Sequence, residues 1–486
     1  MARSKNKVEF GDFQTPSELA SRVCNLIKEN GTNPVSLIEP TCGVGNFVFS
    51  ALEYFPSIKK GIALDINPTY TQMIKKRIGK DSDKIEIQTE DFFQFNWNKY
   101  IANLPEPILV IGNPPWVTNS QIGSINGANL PPKSNLHKLN GFDALTGKSN
   151  FDISEWMMIK LFDALTDRNA TLAVLCKLSV ARKVLTYAWK NGLDIGESAI
   201  YEIDAKEDFD ASVEACLLVV RFSPNVISKE CLWYSSLSSN SQPDRIIGFR
   251  NGRVVSDVVL YEKWKHLLSQ TEQEYVWRSG IKHDCSKIME LHRVGENRYQ
   301  NGLGEKIELE EEYIYPLVKS SDLFNEREPS RWVIVTQKKV GDDTSTIEKI
   351  APKTWAYLKS HQDDLAKRTS SIYKNRPPFS IFGIGSYSFS PWKVAISGLY
   401  KEPRFQILGT YLGKPIVADD TVNFVSFGSA ADAKELAGVL NSSSALSFLR
   451  AMTFVDAKRP YTVDLLKQLD IHKLIGRPRI KSSLFD

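Results

Sequence analysis

Up to Phe222 the chain repeats one pattern, and that pattern limits the folds open to it. A short apolar, β-branched run gives way to a turn, and a helix-like stretch follows. The strand-like runs cover residues 35–39, 61–64, 84–89, 108–111, 171–176, 200–203 and 215–222. Helical periodicity fills the gaps at 16–29, 46–54, 68–78 and 154–165. Strands joined by helices pair in parallel, so the expected fold is α/β, a doubly wound, Rossmann-like sheet with helices on both faces. The last two runs follow each other with no helical pattern between them, which predicts an antiparallel hairpin at the sheet edge. Sheets of this kind bind ligands beyond the carboxyl ends of their strands. The residues just after each run are therefore where function is sought.

Four such ends carry distinctive chemistry. The first run passes through Glu39 into "LIEPTCGVGNF". Gly43 and Gly45 let the backbone turn tightly and approach a ligand, and Glu39 offers a carboxylate to a cationic amine. The loop is neither Gly-x-Gly-x-x-Gly nor a phosphate-binding Gly-Lys-Ser/Thr loop, which points away from a nucleoside triphosphate. Asp65 ends the second run in "GIALDIN", where an acid can accept hydrogen bonds from both ribose hydroxyls. Asp91 ends the third in "TEDFF", beside Phe92. The fourth is "ILVIGNPPWVTN", a greasy strand that stops at Asn113, Pro114, Pro115 and Trp116. Two prolines remove two N–H donors and leave carbonyls that only accept. An amide, rigid carbonyls and an aromatic face suit a flat ring bearing an amino group, such as a purine or pyrimidine.

A chain of 486 residues is too long for one ordinary domain. Residues 1–222 hold 24 Lys and Arg against 26 Asp and Glu, whereas the remainder holds 37 against 31. A near-neutral front and a basic back suit a catalytic domain, 1–225, followed by a polyanion-binding domain, 226–486. No apolar run has the roughly 20 residues of a membrane span, and the N-terminus lacks an apolar signal core. Six scattered cysteines and six histidines without metal-ligand spacing predict a reduced, cytoplasmic protein with no metal. In the back half, residues 371–401 interleave Lys374, Arg376 and Lys393 with Tyr373, Phe379, Tyr387, Trp392 and Tyr400. Cations for phosphates and rings for apolar contact would fit a DNA groove, and a β-rich core with solvated lysines is the competing reading. Lys458 and Arg459 precede a helical stretch near the end. His283, Asp284 and Cys285 read as structural. Residues 117–150, rich in Asn, Ser, Gly and Pro, form a long loop after the fourth strand, of the kind that orders over a substrate.

Taken together, the motifs resemble those of the S-adenosylmethionine-dependent N6-adenine DNA methyltransferases of the gamma motif order, typical of restriction–modification systems. The resemblance covers residues from about 10 to 222 and implies roles residue by residue. In "FGDFQTPSELA", Thr15 with Pro16 would reach the methionine end of S-adenosylmethionine. Glu39 and Gly43 would belong to the methionine loop, Asp65 to the ribose site, and Asp91 with Phe92 to the adenine site. Asn113, Pro114 and Trp116 would form the catalytic motif, with Trp116 where the family more often has Tyr or Phe. Phe209, in "DFDASVEACLLVV", would stack on a base flipped out of the duplex. Residues 371–401 and 454–466 look like the family's C-terminal specificity domain, with Lys374, Arg376, Lys393, Lys458 and Arg459 as DNA contacts. The implied partners are double-stranded DNA and a separate cognate endonuclease acting on the same site, with the chain itself a monomer. N4-cytosine methylation uses nearly the same pocket, and protein glutamine methyltransferases share the Asn-Pro-Pro-aromatic logic.

Overall fold

Each of the seven strand-like runs up to Phe222 becomes a strand, and the apolar ones lie deepest. The computed structural model describes residues 14–117, 152–238, 242–269 and 275–476. They fall into two units, divided between Val258 and Val259. The loop read at 117–150 lies outside the described residues, apart from Val117.

The first unit is built on a ten-stranded sheet. Its strands are β1 (Ser36–Glu39), β2 (Lys60–Asp65), β3 (Ile85–Thr89), β4 (Ile108–Gly112), β5 (Ala170–Lys177), β6 (Ile195–Ile203), β7 (Ala215–Phe222), β8 (Glu230–Tyr234), β9 (Arg245–Arg250) and β10 (Arg253–Val255). Their order is β10-β9-β8-β6-β7-β5-β4-β1-β2-β3. Strands β1 to β5 pair in parallel. β1 and β4 are buried along their whole length, as strands covered on both faces must be. The helices are α1 (Ser17–Glu29), α2 (Asn46–Tyr54), α3 (Pro68–Arg77), α4 (Trp97–Ala102), α5 (Ile153–Leu165), α6 (Leu178–Asn191) and α7 (Ala205–Phe209). α1 buries Leu19, Ala20, Val23, Cys24, Leu26 and Ile27, one stripe at helical spacing. Asn67 caps α3 through Thr69 N–H with Pro68 at its first position, and Asp152 caps α5 through Ser154 N–H.

Two expectations need correction. β6 and β7 are antiparallel, but β7 lies inside the sheet between β5 and β6, and the short helix α7 separates them. The sheet then continues past the boundary expected at 225, because β8 pairs in parallel with β6 and carries β9 and β10 outward. Cys231 and Trp233 of β8 are buried, while their neighbours along the strand are only partly so. Such a half-buried strand has a weaker apolar signal than β4.

Because β1 leads to β2 and β3 on one side while β4 and β5 lie on the other, chain order reverses between β1 and β4. The register puts Leu37 beside Leu109 and Ile38 beside Val110. The carboxyl ends of β1 and β4 therefore emerge side by side at the topological switch point.

The second unit contains a six-stranded and a four-stranded sheet. The six-stranded sheet includes Glu290–Gly295, Arg331–Ile334 and Ile314–Val318, and the four-stranded one Trp392–Ser397 and Val422–Phe427. Near its end, the expected helical stretch is two short helices, Val463–Leu466 and Ile471–Ile475. No described helix is long and apolar enough to cross a membrane.

Candidate active site

The switch point assembles the loop after β1 and the turn after β4. Gly43 and Gly45 both have positive φ, 50° and 85°, so the loop takes a path that side-chain-bearing residues rarely adopt. The N–H of Gly43 donates to Asp65 Oδ2 at 2.8 Å, and the N–H of Asn67 donates to Asp65 Oδ1 at 2.8 Å. One carboxylate thus fastens the glycine loop to the end of β2. Gln14 lies over the same loop: its Oε1 accepts from Val44 N–H at 3.0 Å, and a Cβ on Gly43 would meet it at 2.5 Å. Thr15 is buried, and its carbonyl accepts from Asn46 Nδ2 at 2.7 Å, which brings the Thr15–Pro16 pair to the head of α2.

Glu39 ends β1 only 2% exposed. Its Oε2 has no hydrogen-bond partner among the described residues. Burial pushes this carboxyl well above the usual carboxylate range, and the nearby Asp65 charge adds to the rise, while a backbone hydrogen bond at Val48 opposes it. An acid with an orphaned oxygen beside bare glycine backbone is suited to a ligand cation. The residues present therefore fit the methionine ammonium of S-adenosylmethionine.

At the end of β3, Asp91 Oδ1 accepts from Phe93 N–H at 2.9 Å. Phe92 departs from its expected role: it is 3% exposed and packs on Trp97, with ring centroids 5.1 Å apart. The half-buried neighbour Phe93, against Trp156 of α5 at 5.3 Å, is the more accessible ring. The sequence reading placed Phe92 there, but the turn after β3 packs the first of the doubled phenylalanines inward and leaves the second half-buried.

The turn after β4 begins with half-buried Asn113 and buried Pro114. Gly112 lies against the loop after β1, where a Cβ would meet Pro40 Cδ at 3.5 Å and Glu39 Cγ at 3.8 Å. Trp116 donates its indole N–H to the Leu175 carbonyl at 3.2 Å. Its ring stands edge-on to Phe209 of α7, with centroids 5.2 Å apart and planes at 67°. The catalytic-motif tryptophan and the late-motif phenylalanine, 93 positions apart in the chain, thus meet in space. They touch each other, whereas a ring stacked between two others needs about 7 Å between their planes, twice the carbon–carbon contact distance.

In the second unit the cations separate into different environments. Lys374 and Arg376 are exposed, as is Lys458. Arg459 is exposed but paired with Asp420 at 2.9 Å. Lys393 is a correction: it is fully buried in strand Trp392–Ser397, where its ammonium donates to the Ser390 carbonyl at 2.8 Å and lies 5.8 Å from the Phe424 ring. A side chain so placed does not reach a phosphate. Phe379 is likewise core, and Tyr373, Tyr387, Trp392 and Tyr400 are partly buried. Two cations absent from the sequence reading join the exposed set. Lys338 and Lys339 sit on a loop tied to the segment after Arg376 by Thr344 Oγ1 to the Pro378 carbonyl at 2.6 Å and Thr336 Oγ1 to the Phe379 carbonyl at 2.8 Å. A lysine pair before a glycine turn is too common a pattern to have singled them out.

No family profile matches the chain. It is 45% identical over 475 residues to the type II methyltransferase M.NspV of Nostoc sp., covering 97% of this chain and 98% of that one. Over 223 residues it is 23% identical to the modification methylase CviBIII of a Paramecium bursaria Chlorella virus, covering 45% of this chain and 52% of that one. Its fold resembles that of the type IIL restriction-modification enzyme MmeI, solved in complex with DNA, at a TM-score of 0.54 and 14% identity; the match covers 93% of this chain and 64% of the other. Sheet, glycine loop and acid-ended strands define an S-adenosylmethionine-dependent methyltransferase. The chain belongs to the type II methyltransferases, the DNA-modifying enzymes of restriction–modification systems.

Proposed function

We propose that the chain methylates N6 of adenine in duplex DNA after the base has rotated out of the helix, and that a separate cognate endonuclease is thereby kept from the same site. The carrying observation is the Asn113–Trp116 turn beside the glycine loop, with Trp116 and Phe209 paired next to it. An aromatic amine is a poor nucleophile because its lone pair is shared with the ring. Asn113 Oδ1 and the Pro114 carbonyl accept its two hydrogens and favour a more pyramidal nitrogen. Held in line by the turn, the amine gains most of its reactivity from positioning. S-adenosylmethionine supplies the electrophilic methyl group when bound. Thr15, Glu39 and Gly43 hold its methionine end, Asp65 its ribose, and Asp91 with Phe93 its adenine. A methylated amine is acidic enough to lose its proton without a strong base. Trp116 and Phe209 part to grip the flipped base.

Site choice falls to the second unit, with Lys338, Lys339, Lys374, Arg376 and Lys458 on DNA phosphates. The test is tritium transfer from labelled cofactor to duplex DNA, followed by digestion to nucleosides. Label in N6-methyladenine is expected. Label in N4-methylcytosine would replace adenine as the target, and label on protein glutamine would overturn the DNA reading.

A further inference from the structure

Strand β5 ends in Lys177, a charged residue 20% exposed at its side chain. Its ammonium donates to the backbone carbonyl of Trp116 at 2.9 Å and to Asp152 Oδ2 at 2.6 Å. Asp152, whose side chain is 6% exposed, uses Oδ1 for the N–H of Ser154 at 3.2 Å and its hydroxyl at 2.5 Å. Ser154 lies in the first turn of α5, the helix that sets Trp156 against Phe93. One hydrogen-bonded path therefore runs from the end of the catalytic turn through Lys177 and Asp152 to the helix beside the end of β3.

We propose that Lys177 is a positioning residue for methyl transfer, which fixes the Trp116 end of the catalytic turn relative to α5 by sharing its ammonium between the Trp116 carbonyl and Asp152. The proposal rests on the methyltransferase reading above. The fold does not need a cation for this closure, because the Ile153 N–H already donates to the Val117 carbonyl at 3.0 Å. What Lys177 adds is a second tie, made to Trp116 itself. Together with the indole bond to Leu175, it holds Trp116 at both its backbone and its ring. The pairing also suits the chemistry. An amine that accepts a methyl group becomes transiently cationic, and a lone ammonium nearby would oppose that charge. A neutral Lys–Asp pair positions the turn without adding net charge, and its shelter from water keeps the attraction weakly screened.

Lys177→Met should slow single-turnover methylation of duplex DNA by roughly 10- to 100-fold, the scale of a small misplacement of reacting groups. Cofactor affinity should stay within twofold. Lys177→Arg should recover part of the rate. Lys177→Met combined with Asp152→Asn removes the stranded buried charge while an amide oxygen still caps α5 at the Ser154 N–H, so it should restore the melting temperature but not the rate. A rate regained along with stability would show a merely structural pair and overturn the proposal, as would wild-type rate in Lys177→Met. A readout independent of activity is fluorine NMR of protein labelled with 5-fluorotryptophan, with the Trp116 signal identified through Trp116→Phe. That signal should shift or broaden in Lys177→Met and in the double variant, and an unmoved signal overturns the proposal. If wild-type protein left duplex DNA unmethylated, the functional reading would fail, and the fluorine signal would still decide the role of Lys177.

Discussion

The carboxyl edge of β1–β4 and the four-stranded sheet of the second unit each hide a charged side chain, Glu39 and Lys393, and the surroundings differ in kind. Glu39 ends its strand beside bare glycine backbone, with one oxygen unpartnered among the described residues. Lys393 lies in mid-strand, where the register sets it between Leu408 and Ser426. Burial moves both toward neutrality, raising the Glu39 carboxyl and lowering the Lys393 ammonium to about 7. A ligand cation can reverse the shift at Glu39, whereas nothing in the sheet around Lys393 offers an anion. A buried charge marks a binding site only where the chain has left its partner out.

At the carboxyl edge the largest effect belongs to Asn113. Asn113→Ala removes an acceptor that the amine needs as it pyramidalises. Methyl transfer should fall by about 10²–10³-fold, the usual loss when one preorganised hydrogen-bonding group is deleted from an active site. Cofactor affinity and melting temperature should hold. Near-normal single-turnover rates would remove Asn113 from the mechanism.

Burial of Lys393 couples folding stability to pH. Lys393 has a folded pKa near 7, below the ordinary lysine value of 10.5 that the unfolded chain retains. The unfolded state therefore binds more protons between those values, and stability rises with pH across that window. Below about pH 7 the penalty is complete. Lys393→Met should raise unfolding stability near pH 7 by on the order of 3 kcal/mol, with the gain shrinking toward pH 10. Urea denaturation at several pH values measures it. DNA affinity should not change, and a clear loss would return Lys393 to the contact surface.

The difference between the two regions also explains what could be read from residues alone. The strand ends of the first unit were legible because each couples a continuous apolar run to a residue that strands seldom end on, as in Glu39, Asp65 and Asn113. Backbone register then brings those ends together without help from side-chain detail. Family resemblance implied a flipped base against Trp116 and Phe209, and their direct edge-on contact was not read from the sequence at all. Lys393 was misread because an exposed and a buried lysine look alike in a strand whose alternation is interrupted by Val394, Ala395 and Ile396. β8 was missed because three strands past Phe222 carry a half-buried pattern that a loop can also show. The Lys177–Asp152 pair joins residues 25 positions apart across separate elements, a pairing that no local pattern encodes.

If Glu39 and Asp65 are held ready for a ligand, removing either should weaken S-adenosylmethionine without unfolding the chain. Asp65→Ala loses a charge-assisted contact and should reduce affinity by roughly 1.5–3 kcal/mol. Glu39→Gln should do so by a similar amount. It should also abolish the proton release expected when an ammonium settles on a carboxyl whose pKa burial has raised. Calorimetric titration in buffers of different ionisation enthalpy reads both affinity and proton count. Unchanged affinity in Asp65→Ala would remove it from the site, and no proton release by wild type would break the contrast with Lys393.

The smallest effects belong to the exposed cations, and they sharpen the contrast by showing what an unburied charge does. Lys338, Lys339, Lys374 and Arg376 are solvent-exposed, and no ion pair among the described residues holds their side chains, although the backbone N–H groups of Lys338 and Lys339 donate to Asp342 Oδ2 at 3.2 and 2.8 Å. A cation that neutralises a DNA phosphate releases a counterion, so each lost contact should lower the slope of log affinity against log salt by about one. Lys374→Ala and Arg376→Ala should each weaken binding modestly and equally across DNA sequences, with cofactor affinity intact. Arg459→Ala should do less, because its guanidinium already faces Asp420 at 2.9 Å and must leave a carboxylate to meet a phosphate. Titrations of wild type and the three variants at several salt concentrations give the slopes. An Arg459 slope change as large as that of Lys374 would mean the ion pair opens on DNA. Unchanged slopes for both Lys374 and Arg376 would move the phosphate contacts off this face of the second unit.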